Sequence, residues 1–62
     1  MPLVFQKYQI GQFVSLKKRP EQPWVIIEVI ESDYICRKLR EPEKIESAFK
    51  EDELQEFNPA IA

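Results

Sequence analysis

Apolar and polar positions alternate along most of this chain, and the alternation breaks at Pro, Gly and short polar pairs. Gly11 follows Ile10, Pro20 and Pro23 follow Lys17-Lys18-Arg19, Ser32-Asp33 follows Glu31, and Glu41-Pro42-Glu43 follows Arg40. Such residues fix or free the backbone angles that turns need, so they mark the ends of regular structure. They leave segments 12–18, 24–31, 34–40 and 44–50, each of strand length and each short for a helix. The middle two are rich in β-branched and aromatic residues (Trp24, Val25, Ile26, Ile27, Val29, Ile30, Tyr34, Ile35), which fit a pleated, half-buried surface. Period-two alternation sets Val14 and Leu16 against Phe13, Ser15 and Lys17, and Val25, Ile27 and Val29 against Trp24, Ile26, Glu28 and Ile30. The second segment is apolar on both faces, which predicts cover on both sides. Ser32-Asp33 reads as a two-residue hairpin turn.

The stretch Lys50-Glu51-Asp52-Glu53-Leu54 breaks the alternation differently. Acidic side chains are favoured at a helix start, where unpaired N–H groups carry partial positive charge. One 3₁₀ or α turn is predicted here, followed by a short strand over 55–57. Four strands, a turn and a fifth strand predict an all-β fold, a small SH3-like five-stranded bent barrel whose curvature removes most exposed strand edge. A competing arrangement packs a three-stranded sheet on a helix over 44–57, because Ile45, Ala48, Phe49 and Leu54 fall near helical spacing. The organisation expected is an extended segment over 1–9, a barrel over 10–57 and a short tail over 58–62.

The 62 residues suffice for one domain. A chain of this size buries only about 60% of the surface it exposes when unfolded, so a deep substrate cavity is not expected. The sequence contains no His and one Cys, Cys36. General acid/base and nucleophilic catalysis thereby lack their usual side chains, and neither a disulfide within the chain nor a zinc site is expected. No catalytic residue, metal or cofactor is assigned. The first residues lack a signal-peptide pattern and no apolar run approaches the length of a membrane span, so a cytoplasmic protein is expected.

Val14-Ser-Leu16-Lys17, Pro20, Trp24-Val-Ile-Ile, Tyr34-Ile-Cys36-Arg37 and Ala48-Phe49-Lys-Glu-Asp-Glu53-Leu54 together resemble the YodC-like family of small bacterial proteins. Members carry a V-x-L/V-K start, a hydrophobic second strand, a V-x-C-R-W third strand and a closing A-F-x-x-x-E-L. The resemblance spans residues 14–54. Here the family's Gly-Gly-Pro turn is replaced by residues 18–23, and its aromatic after Cys-Arg by Lys38-Leu39. The resemblance implies an SH3-like (KOW- or Tudor-like) barrel and attaches no activity to it.

Charge sharpens the functional alternatives. The net charge is −2, and the basic residues fall mainly before residue 41, the acidic ones after it. Lys17, Lys18 and Arg19 at the first turn and Arg37, Lys38 and Arg40 on the third strand are a candidate nucleic-acid surface, since cationic grooves with aromatic platforms hold single strands. Alternation turns Arg37 away from Lys38 and Arg40, and the net charge is negative, so ordinary solvated cations compete with that reading. The acids between Glu41 and Glu56 lack both the facing geometry of a glycosidase pair and the Gly-containing calcium loop. Cys36 reads as a buried structural thiol.

Leu3, Val4, Phe5, Tyr8, Phe13, Trp24, Ile26 and Ile30 are more large apolar side chains than water tolerates, and aromatic patches mark interfaces, which makes Phe5, Tyr8, Phe13, Trp24 and Ile26 the candidate protein-binding residues. The expected function is a small binding or adaptor module. Its partner is an unidentified protein or a second copy of the chain, with nucleic acid the alternative and no membrane partner. The competing explanation is that the N-terminal segment folds over the second strand and buries Phe5, Tyr8 and Ile26 within the monomer.

Overall fold

The computed structural model describes residues 7–58. Five antiparallel strands run as β1 (Phe13–Leu16), β2 (Arg19–Ile30), β3 (Asp33–Lys38), β4 (Glu46–Lys50) and β5 (Leu54–Glu56), with a 3₁₀ turn over Glu51–Glu53. They form one sheet in the order β4-β3-β2-β1-β5, the order of SH3-like bent barrels, with the turn before the last strand as the sequence predicts. The helix over 44–57 does not form. Alternation places Phe49 towards the core and Lys50 outward on β4, and Glu53 accepts a hydrogen bond from the Lys50 N–H at 2.9 Å, closing the turn at the position the acids favour.

Curvature of the sheet is visible in contacts between strands that are not neighbours. The Tyr8 N–H donates to the Tyr34 hydroxyl on β3 at 3.4 Å, while the Tyr8 hydroxyl donates to the Leu54 carbonyl on β5 at 3.1 Å. One residue thus ties together strands that two others separate in the sheet. The Tyr8 and Tyr34 rings meet edge to face, with centroids 5.6 Å apart. Trp24 on β2 and Phe49 on β4 meet the same way at 5.0 Å. These side chains join Val14, Leu16, Ile26, Cys36 and Leu54 in one core.

Three expectations change with the structure. The hairpin turn is Glu31-Ser32, one residue earlier than predicted, because Ile30 pairs with Asp33 and Glu31 adopts φ 55, the positive value primed turns take at their first central position. β2 begins at Arg19, ahead of both prolines. Its pairing with β1 jumps from Val14–Trp24 to Leu16–Arg19, so Pro20 and Pro23 lie in a stretch that owes β1 no N–H.

The third change is a phase shift. The β2–β3 register passes from Ile26–Cys36 to Glu28–Ile35, a bulge at Ile27. Strict alternation would carry Glu28 inward behind Trp24 and Ile26. The bulge turns Glu28 out to solvent and brings Val29 against the core.

Candidate functional site

The five residues expected on a protein-binding surface separate. Tyr8 (2% exposed), Trp24 (6%) and Ile26 (0%) belong to the core, while Phe13 remains 56% exposed. Phe5 lies outside the described residues. The enclosed three are the correction to the expected surface: β2 carries Trp24 and Ile26 on its inner face, and the segment before β1 folds Tyr8 across the barrel.

Phe13 has other companions. With Pro23, Leu39, Arg40 and Phe57 it lines an open groove of about 390 Å³ whose wall is almost entirely carbon. β1 sets Phe13 outward, opposite in phase to Val14. Phe57 is brought beside it where the chain leaves β5, its N–H donating to the Phe13 carbonyl at 3.3 Å. Pro23 and Leu39 are fastened to each other: the Leu39 N–H donates to the Pro23 carbonyl at 3.1 Å, and Gln22 Nε2 donates to both the Pro23 and Leu39 carbonyls at 2.8 Å.

Arg40 closes one side, with its guanidinium carbon 6.0 Å from the Phe57 ring centroid. Its φ is 64, left-handed for a residue with a Cβ. Such a conformation costs roughly 1–2 kcal/mol.

The six basic residues do not share one side. Arg37 turns towards β4 and makes a 2.8 Å ion pair with Glu46, its cross-strand neighbour. Lys18, Arg19 and Lys38 meet around a smaller hollow of about 220 Å³, together with Leu16, Gln22 and Trp24. Two of these cations already face carboxylates, Lys38 with Glu41 at 3.4 Å and Arg19 with Glu21 at 3.9 Å. Lys17 points to a neighbouring depression beside Glu53, and Arg40 belongs to the apolar groove.

Trp24 forms part of the smaller hollow but is itself enclosed, so it offers little face for a base to stack on. Its indole N–H has no hydrogen-bond partner among the described residues.

Cys36 is fully enclosed, and its thiol donates to the Tyr34 carbonyl at 3.6 Å. Burial pushes the thiol from its ordinary 9.0 up to about 11, away from the thiolate a nucleophile needs. Lys50 has its pKa raised by its hydrogen bond and charge contact with Asp33, which lies opposite it across β3 and β4. No three His, Cys, Asp or Glu side chains converge as a metal site among the described residues. None of the helices there is long and apolar enough to cross a membrane.

Sequence reasoning missed Pro23, Leu39 and Phe57. Pro23 read as turn punctuation, and the other two are single apolar residues near strand ends that only the fold brings beside Phe13. No protein-family model, curated protein or solved structure matches the chain.

Proposed function

We propose that this domain is a protein-binding module whose docking surface is the groove between Phe13, Pro23, Leu39 and Phe57. The observation that carries the reading is an exposed aromatic side chain set in an open, carbon-lined groove. Aromatic side chains in such settings supply much of the binding energy at interfaces. The Gln22 and Leu39 hydrogen bonds hold one wall in place before any partner arrives, which lowers the ordering cost of association. The lone thiol, enclosed and kept protonated, supports a role in binding over one in chemistry. The likeness to the YodC-like family fits the barrel and adds no activity.

A second reading, nucleic-acid binding, draws support from Lys18, Arg19 and Lys38 meeting around one hollow. It ranks lower because Arg37 and Lys17 are directed elsewhere and the aromatic beside the cations is buried.

Panning a random peptide library against the immobilised domain, with counter-selection on Phe13→Ser, tests the first reading. Peptides that bind the wild type about tenfold or more tighter than the variant are expected, a difference of about 1.4 kcal/mol. Peptides that bind both alike would remove the groove from the proposal. Salt-sensitive binding of mixed single-stranded DNA or RNA, lost in Lys18→Glu but not in Phe13→Ser, would favour the second reading.

A further inference from the structure

We infer that the segment this groove accepts carries a carboxylate beside its apolar anchor, and that Arg40 is the residue that reads it. The inference rests on the groove being the docking surface.

Arg40 is the only charged side chain among the five residues that line the groove. It makes no ion pair among the described residues, a state it shares with Lys7, Lys17, Lys18 and Lys44, whereas the two other arginines, Arg19 and Arg37, each face a carboxylate. The contrast with its neighbours is local: Glu41, next in the chain, turns to Lys38 and leaves Arg40 free of it. The guanidinium lies over the Phe57 ring instead.

A guanidinium held over an aromatic ring at this distance keeps its N–H groups open, and its planar edge matches a carboxylate with two parallel hydrogen bonds. An apolar partner side chain entering between Phe13 and Phe57 would bring its neighbour in the partner's chain to that edge. Charge then works in both directions, because a Lys or Arg beside the anchor would meet a cation of the same sign. The smaller hollow is the weaker candidate for reading an anion, because Glu21 and Glu41 already neutralise two of its three cations.

The test uses three blocked, fluorescein-labelled peptides that share a Leu-Phe pair and differ in the flanking residue, Glu, Gln or Lys. Fluorescence polarisation and amide NMR mapping are run on the wild type, Arg40→Gln, Arg40→Lys and Phe13→Ser. The Glu peptide is expected to bind the wild type about tenfold tighter than the Gln peptide, with the Lys peptide weakest. In Arg40→Gln the Glu and Gln peptides should become equal, in Arg40→Lys part of the preference should return, and in Phe13→Ser all three should fall together.

Equal binding of Glu and Gln peptides to the wild type, with both lost in Phe13→Ser, overturns the role of Arg40 and leaves the groove standing. If neither these peptides nor any library peptide depends on Phe13, both proposals fail. A dimer that forms with rising protein concentration and dissolves in Phe13→Ser would make a second copy the occupant. An oligonucleotide that shifts Phe13 and Arg40 would make it a nucleic acid. Either result overturns the acidic segment.

Discussion

Two sets of aromatic side chains divide this domain. Tyr8, Tyr34, Trp24 and Phe49 pack edge to face inside the bend of the sheet, and the two tyrosines are hydrogen-bonded to each other or to a carbonyl across the barrel. Phe13 and Phe57 lie on the other side of β1 and at the end of β5, joined by one backbone hydrogen bond, with Phe13 exposed and Phe57 half-buried beside it. Residue type does not separate the sets. Phase does: Phe13 is one position from Val14, which is fully buried, and the strand turns the two side chains to opposite faces. Enclosed aromatics hold a small core together, while the open pair leaves surface for a partner.

Ile26→Ala should break the enclosed set most severely. Ile26 is fully buried between the paired strands, and such truncations cost about 2–5 kcal/mol. A domain of this length rarely holds more than about 3–5 kcal/mol in total. The variant is therefore expected to populate the unfolded state at room temperature, seen as collapsed amide dispersion. Retained dispersion with an unchanged urea midpoint would mean the core is less tightly shared than Tyr8, Trp24 and Leu54 imply.

Cys36 sharpens the comparison from the same side. Below its ordinary pKa of 9.0 the thiol is neutral whether the chain is folded or not, so it contributes no pH dependence there. Between 9.0 and about 11 the unfolded chain ionises and the folded one does not, so protons leave the unfolded state first and stability falls as pH rises. At about pH 10.5 this loss is about 2 kcal/mol relative to about pH 8. Urea midpoints of wild type and Cys36→Ala at both pH values isolate it from the Lys and Tyr titrations, and parallel pH dependence in the two proteins would show the thiol is not held neutral by burial.

The fold was largely legible in the sequence because its strands are short, β-branched and bounded by Pro, Gly and polar pairs. Val14 and Leu16 reveal the inner face of β1, and Glu51-Asp52-Glu53 reveals the closing turn. The second strand was not legible in detail, since Trp24 to Ile27 is apolar on both faces and hides where the phase slips. Glu28 carries the one local signal: a charge that strict alternation places inward behind Ile26 calls for a bulge. The groove was half legible. Phe13 stands out from its strand alone, whereas Leu39, Arg40 and Phe57 become its neighbours through pairings far apart in the chain, and no local pattern encodes them.

Phe13→Ser has the smallest expected effect on stability and separates the two aromatic sets most cleanly. The side chain is already 56% exposed and outside the core, so its removal should shift folding stability by less than about 0.5 kcal/mol. Serine also removes an apolar surface, and thermal melts at low and high protein concentration should coincide for the variant. A loss of stability comparable to that of a core truncation would show that Phe13 and Phe57 pack as structure, closing the groove in solution. An unchanged melt combined with loss of peptide binding leaves only the partner to account for an aromatic side chain held in water.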